Sequence, residues 1–336
     1  MKFCIVGAGA IGGMVGAKLA NAGHEVALIA RGPHLAAIRE KGLRYSSADE
    51  DFTVQVEASE NPADIGPVDV VIISLKAHSV PAMAEKMVPL FKEDTSVITA
   101  MNGLPWWYFQ RHGGEMEGTI LESLDPGGII TKHIAPERVI GCMVLPAAEI
   151  AEPGHIKHTE GLKFPIGELD GTISDRIKAI SGAMEEAGFK CPITEDIRHD
   201  LWVKLMGNVP LNPISALTGA TLVEITEHPA VRPLVAESMQ EVLNCCAKLG
   251  MEISVTVERR IEGARRVGAH KTSMLQDLEA GRPMELECMV GAVLELGQKL
   301  GVPMPYTQAI YATTKLLGEV KDGAVSSLFA DQEKSA

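Results

Sequence analysis

The segment Trp202-Val203-Lys204-Leu205-Met206-Gly207-Asn208-Val209-Pro210-Leu211-Asn212-Pro213 places a lysine and two asparagines at intervals of four. On a helix, residues four apart share a face. A lysine ammonium can stabilise a developing oxyanion and then surrender a proton. Carboxamides donate and accept, so they bind hydroxyl and carbonyl oxygens without adding charge. Lys204, Asn208 and Asn212 thus suit recognition of a compound bearing both groups. The same spacing also fits an ordinary solvated helix face, and spacing alone does not decide between the two. Pro210 lies between the asparagines; it removes one backbone N–H and crowds the carbonyl four residues earlier, so the helix is expected to kink or stop there. Further on, Ser273-Met274-Leu275-Gln276-Asp277 leads to Gly281-Arg282-Pro283-Met284-Glu285, a serine, a Gly-Arg turn and a glutamate opening a helix. By itself that grouping has no interpretation.

A second constellation stands at the start of the chain. Gly7-Ala8-Gly9-Ala10-Ile11-Gly12 fits G-x-G-x-x-G between an apolar run, Phe3-Cys4-Ile5-Val6, and a segment of helical spacing. In this context the first glycine permits the tight turn, the second lets a pyrophosphate approach the backbone, and the third lets helix and strand pack closely. The helix N-terminus then offers unpaired N–H groups to phosphate. NAD sites commonly carry an acid at the end of the second strand. Here that strand reads Val26-Ala27-Leu28-Ile29-Ala30-Arg31, with no acid, and Arg31 can meet a 2′-phosphate. NADP(H) is therefore the expected cofactor.

These residues need elements to position them. Apolar runs predict strands at Met1–Gly7, Glu25–Ala30, Asp69–Ser74, Ser96–Ala100, Val139–Pro146, Lys163–Gly167 and Phe189–Thr194. Helical spacing lies between them at Gly9–Ala22 and Ile173–Gly188. Alternating strands and helices imply a parallel sheet covered on both faces. From about Asp196 the pattern is almost wholly helical: His199–Leu211, His228–Leu249, Val255–Val267, Glu285–Leu300 and Thr307–Val320. The expected organisation is an α/β dinucleotide-binding domain over residues 1–195 and an all-helical domain over 196–336, with the polar end frayed from about Asp331.

At 336 residues, two domains are the default. Lys and Arg number 31 against 44 Asp and Glu, a net charge of −13 that disfavours nucleic acid and anionic lipid as partners. Aromatics at 4% are too few for base-stacking platforms. The six cysteines form no C-x-x-C pair and no zinc spacing, and read as buried reduced thiols. With no signal peptide ahead of the first strand and no apolar run approaching membrane-spanning length, a cytoplasmic protein is expected. A homodimer through the apolar helix Leu286–Leu300 is plausible on sequence grounds.

Five blocks in order, GAGAIG at 7–12, SLK at 74–76, NG at 102–103, WVKLMGNVPLNP at 202–213 and SMLQDLEAGRPME at 273–285, make the chain resemble the ketopantoate reductases (2-dehydropantoate 2-reductases). These are a branch of the 6-phosphogluconate-dehydrogenase-like oxidoreductases, and the resemblance runs from the glycine turn to about Leu317. It implies a Rossmann-type α/β domain followed by an all-helical domain, with the active site between them, and NADPH-dependent reduction of ketopantoate to (R)-pantoate in pantothenate and coenzyme A biosynthesis. It places Lys204 on the catalytic general acid and Glu285 on its partnering glutamate, which also holds a substrate hydroxyl. Asn208, Asn212 and Ser273 fall on substrate-binding positions, Asn102 and Lys76 on positions lining nicotinamide and substrate, and Arg31 on the arginine that grips the 2′-phosphate. The implied cleft is locally positive although the chain is acidic.

Three departures leave another branched or aromatic 2-oxo acid as the alternative substrate, the first being Pro210, which can make Asn208 and Asn212 converge differently from a straight helix. The family's usual Thr-Glu-Ile-Asp is here Met284-Glu285-Leu286-Glu287. The NG block is followed by Leu104-Pro105-Trp106-Trp107-Tyr108-Phe109 and an extended segment to about His133, longer than the family leads one to expect. Those aromatics either shape a pocket beside Asn102 or form a packed excursion or subunit contact. A redox-sensing NADP(H) binder without turnover is disfavoured, because Lys204 and Glu285 are both present.

Overall fold

A computed structural model of the chain describes residues 1–323; the frayed end expected from about Asp331 lies outside the described residues. The chain divides into two compact units, one covering Met1–Arg198 and the other beginning at His199.

The first unit carries β1 (Lys2–Val6), β2 (Glu25–Ile29), β3 (Leu43–Ser46), β4 (Asp51–Val54), β5 (Glu57–Ser59), β6 (Val68–Ile73), β7 (Phe91–Thr99), β8 (Val139–Cys142), β9 (Ala147–Glu152), β10 (His155–Glu160) and β11 (Ile166–Glu168). Its helices are α1 (Ala10–Asn21), α2 (Gly32–Lys41), α3 (Val80–Ala84), α4 (Ile129–His133) and α5 (Asp175–Glu186). Seven strands form one sheet in the order β11-β8-β7-β6-β1-β2-β5. It is parallel except for β11 against β8. Its central strands are continuous apolar runs, such as Phe3 to Val6, because both faces are covered.

A second sheet, ordered β4-β3-β10-β9, was not anticipated from the sequence. Its strands are short and mostly part-exposed, so they carry little apolar signal. Helix α1 has a glycine-rich interior because it is crowded on two sides. A Cβ on Gly16 would come within 2.7 Å of Leu28 in β2, and one on Gly13 within 2.7 Å of Ile156 in β10.

The strand expected at Phe189–Thr194 does not form. That segment follows residues 163–166 through two isolated bridges, Lys190 with Lys163 and Ile193 with Ile166. Pro192, which has no N–H to give, interrupts the ladder.

The aromatic segment after Asn102 is core. Trp106, Trp107, Tyr108 and Phe109 are all buried, and the Trp107 indole N–H donates to Thr99 Oγ1 at 2.9 Å. Pocket shaping by these rings is thereby replaced by the packed-excursion alternative. Arg198 anchors the excursion. Its guanidinium donates to the carbonyls of Tyr108 (2.8 Å), Gln110 (2.7 Å) and Leu169 (2.6 Å) and lies over the Trp107 and Tyr108 rings. Arg198→Ala leaves three carbonyls short of a donor and should lower unfolding stability by about 3 kcal/mol, as measured by denaturant melts. An unchanged melting curve would remove the anchoring role.

The second unit is built from α6 (Ile197–Thr218), whose first two residues belong to the first unit, and from α7 (Leu222–Glu227), α8 (Val231–Lys248), α9 (Val257–Val267), α10 (Ser273–Glu279), α11 (Ala292–Leu300) and α12 (Pro305–Lys321). Of the kink or stop expected at Pro210, the stop does not occur: helix α6 runs through Pro210 and Pro213 to Thr218. Leu205, Met206, Val209, Leu211, Ile214, Ser215 and Ala216 are buried on successive faces, and that packing outweighs the roughly 3 kcal/mol that an internal proline costs. Helices α7 and α10 escaped notice because each is under two turns long or nearly so; α7 is held by a Thr221–Glu224 capping box.

The helix expected at Glu285–Leu300 opens with a π-turn at Glu287–Gly291 before α11. Its apolar side, Met289, Val290, Val293 and Leu296, is buried in the single chain. All six cysteines are free and buried; burial pushes the thiols of Cys4, Cys191, Cys245 and Cys246 up to about 12. Among the described residues no helix is long and apolar enough to cross a membrane.

Candidate functional site

In the first unit the candidate residues lie at the carboxyl ends of four adjacent parallel strands. Strand β1 pairs with β2 on one side and β6 on the other, so the chain order reverses at β1. Doubly wound sheets bind ligands beyond such a switch point. Gly7 to Gly12 follows β1, Arg31 follows β2, Lys76 follows β6 and Asn102 follows β7. The turn is fastened to its neighbours. The Gly7 and Ala8 N–H groups donate to the Ile29 carbonyl at 3.1 and 3.0 Å, and the Ser74 N–H donates to the Val6 carbonyl at 2.9 Å.

The three glycines are required for three different reasons. Gly7 has φ +101°, and a Cβ there would press on the Ser74 carbonyl at 2.9 Å. A Cβ on Gly12 would collide with the Gly7 carbonyl oxygen and sit 3.0 Å from Ile5 and Ser74. Gly9 is the opposite case: its φ is −70°, and a Cβ there would meet nothing within 4 Å. Neither backbone strain nor internal packing asks for glycine at position 9. The open space at Gly9, beside the first N–H groups of α1 and between Ala8 and the Ala10-Ile11 start of the helix in sequence, fits a pyrophosphate laid against the backbone.

Arg31 is exposed at the N-cap of α2. The fold also brings an acid to this end that strand order does not suggest. Glu60, just after β5, accepts the Gly32 N–H at 3.3 Å. Lys76 precedes a single 3-10 turn, Ala77–Ser79, and Asn102 precedes Gly103, which has φ +84°. Both side chains are half-buried and engaged within the structure.

In the second unit the candidates gather on α6. Between Leu201 and Ala216 only Val203, Lys204 and Asn208 are part-exposed; Leu211, Asn212 and Ser215, which a solvated face would also show, are buried. The solvated-face reading therefore fails, and the polar opening is confined to the turn carrying Lys204 and Asn208.

Asn212 is a tether. Its side-chain amide N–H donates to the Met289 sulfur at 3.1 Å, and its backbone carbonyl accepts the Thr272 hydroxyl at 3.5 Å. Met289 belongs to the π-turn that follows Glu285. Thr272 caps α10, whose first residue is Ser273, by accepting the Leu275 N–H at 3.3 Å. Asn212 thus fastens the segments bearing Ser273 and Glu285 to the helix bearing Lys204. Ser273 is exposed, and Glu285 half-buried just before the helix it was expected to open. Lys204 and Glu285 each have an interaction partner within the structure.

One side chain at this face escaped the sequence. Arg260 of α9 lies against α6 at Gly207, where any Cβ would overlap the guanidinium. The available signal was the glycine itself, since an isolated glycine inside a helix marks a close approach. The partner could not be read from spacing. Among the described residues no group of three or more His, Cys, Asp or Glu is placed to hold a metal ion.

The family Ketopantoate reductase PanE/ApbA matches residues 3–171, and its C-terminal counterpart, Ketopantoate reductase PanE/ApbA C terminal, matches residues 196–318. A 2-dehydropantoate 2-reductase of Mesorhizobium japonicum is 46% identical over 318 residues, 94% of this chain and 98% of its own. A crystal structure from Ralstonia solanacearum, provisionally assigned as a ketopantoate reductase, is 37% identical with a TM-score of 0.91, covering 96% of this chain and 98% of that one. D-mandelate dehydrogenase, solved with NADH and anilino(oxo)acetate, has a TM-score of 0.82 over 96% of this chain and 100% of its own. At 22% identity that likeness concerns the fold alone. The chain belongs to the ketopantoate reductase family.

Proposed function

We propose that the chain reduces 2-dehydropantoate to (R)-pantoate with NADPH, in the cytoplasm. The observation that carries the reading is the confined opening on α6, where a buried helix leaves Lys204 and Asn208 accessible and little else. In this reading the first unit holds the dinucleotide, with the pyrophosphate against Gly9, the 2′-phosphate at Arg31, and Lys76 and Asn102 at the strand ends on the nicotinamide side. The bound cofactor supplies a hydride to the substrate's carbonyl carbon.

The chain's own residues do the rest. The Lys204 ammonium stabilises the charge that builds on the carbonyl oxygen and gives up its proton to that oxygen. Glu285 orients the ammonium, keeps it protonated and accepts a hydrogen bond from the substrate hydroxyl. Asn208 and Ser273 complete the substrate's hydrogen bonds, and Asn212 holds their supporting segments in place.

Steady-state rates across a panel of 2-oxo acids, with NADPH and NADH, test this reading. The highest kcat/KM is expected for 2-dehydropantoate with NADPH. Faster turnover of another branched or aromatic 2-oxo acid would reassign the substrate. Arg31→Gln should raise KM for NADPH about 10-fold and leave KM for NADH unchanged, an exposed guanidinium–phosphate pair being worth roughly that factor. A strong NADH preference in the unaltered chain would instead point to Glu60 as an acceptor for the ribose 2′-hydroxyl.

A further inference from the structure

Arg260 lies on the buried side of its helix. Val257, Ile261 and Ala264 of α9 are buried, and positions 257, 260, 261 and 264 form one face. A charge on that face is costly unless it is paired. Other half-buried arginines are paired: Arg176 with the buried Glu168 carboxylate, and Arg198 with three backbone carbonyls. Elsewhere on α9, Arg265 pairs with Glu262 and Glu227, and Arg266 with Glu262.

Arg260 has no hydrogen bond or ion pair among the described residues. Burial pulls its pKa below the ordinary arginine value, and no carboxylate offsets that pull. A guanidinium nevertheless stays protonated in any protein site. A cationic, planar, five-donor group is thus held in a half-buried place with its donors uncommitted.

The place is specific. The guanidinium lies on the α6 backbone at Gly207, and only the missing side chain of that glycine makes room for it. Gly207 is three residues after Lys204, so these two share a face, and Asn208, four after Lys204, flanks Lys204 on the other side of the same turn. Resting on the proposal that this face takes a 2-oxo acid, we infer that Arg260 binds the substrate carboxylate through its two-pronged N–H fork.

The division of labour follows from the chemistry of the substrate. A 2-oxo acid carries a full charge on the carbon beside the one being reduced. With a single cation on the face, the ammonium would be drawn to the carboxylate, because the ground-state charge is there. A second cation satisfies the carboxylate and leaves Lys204 to the carbonyl oxygen. Guanidinium suits the first task, since its fork matches two coplanar oxygens and it does not release protons; an ammonium suits the second.

The test compares an acid with its neutral ester in the full-length enzyme. The substrates are 3-methyl-2-oxobutanoate and its methyl ester, with Arg260→Gln and Arg260→Lys against the unaltered chain. In Arg260→Gln, kcat/KM for the acid should fall about 100-fold, mostly through KM, because a charge-assisted bidentate pair is lost. The ester's kcat/KM and KM for NADPH should not change. Arg260→Lys keeps the charge without the fork and should recover part of the loss. Acid and ester falling together, or neither falling, would overturn the assignment in favour of a packing role.

If Arg260→Gln does not fold, Gly207→Ala serves in its place, as its methyl group displaces the guanidinium and should raise KM for the acid only. If the unaltered chain turns over no 2-oxo acid, the functional reading fails on its own terms. Calorimetric binding of oxamate then decides the Arg260 question: about 30-fold weaker binding in Arg260→Gln supports the carboxylate site, and equal binding removes it.

Discussion

Lys204→Ala is expected to bind NADPH as the unaltered chain does and to lose a factor of about 10³ to 10⁴ in kcat. The size comes from two losses at one atom. Hydride arrival leaves an alkoxide, and without the ammonium that charge forms in a half-buried opening with no cation at the carbonyl oxygen. The proton must then come from water, which is a weaker acid and is not held in position. Lys204→Arg separates the two effects. It restores a positive charge but supplies a group that does not release its proton, so it should recover only the electrostatic share. NADPH affinity, read by fluorescence titration, should stay within about two-fold for both variants, since the dinucleotide contacts proposed above belong to the first unit. Near-normal turnover of Lys204→Ala would end its role as the acid.

How much of this was legible in advance depended on how local each feature is. The glycine turn was legible, because strand, turn and helix are adjacent in sequence and Gly7 and Gly12 answer backbone demands within that turn, whereas Gly9 answers none. The Lys204–Asn208 pair was legible as a shared face but not as a site. Whether a helix face is solvated depends on what packs against it, and the burial of Leu211, Asn212 and Ser215 is a property of the folded unit. Asn212 shows the same limit: its spacing matches the other two, yet it is buried against Met289 and serves to hold neighbouring segments. A stop at Pro210 was one of two readings, and it fails because the packing that offsets proline's cost comes from the folded unit. The aromatic run at 106–109 left a pocket wall and a packed excursion both open, because what packs against it is not local in sequence. The arginine that pins it, Arg198, is remote in sequence. Arg260 was invisible for the same reason, with Gly207 its only trace.

The glycine turn gives the second large effect, and it divides into two variants with opposite signatures. Gly12→Ala puts a methyl group into the Gly7 carbonyl oxygen, with Ile5 and Ser74 at 3.0 Å behind it. A carbonyl of the backbone cannot swing aside as a flexible side chain can. The turn must shift, and the bonds from the Gly7 and Ala8 N–H groups to the Ile29 carbonyl weaken with it. A loss of about 3 kcal/mol in unfolding stability is expected, with cofactor binding lost as a consequence. Gly9→Ala meets no atom within 4 Å and has an ordinary negative φ, so the free protein should melt within about 0.5 kcal/mol of the unaltered chain, the small cost of alanine at an N-cap. Its methyl group nevertheless occupies the space proposed for the pyrophosphate. KM for NADPH should rise at least about 30-fold, because the displaced phosphate loses charge-assisted bonds to the first N–H groups of α1. Thermal melts with and without NADPH separate the cases. Gly12→Ala should be destabilised in both, whereas Gly9→Ala should match the unaltered chain alone and fail to gain stability when NADPH is added. If Gly9→Ala is stabilised by NADPH as strongly as the unaltered chain, the phosphates do not lie against this turn, and the cofactor site must be sought at another edge of the sheet.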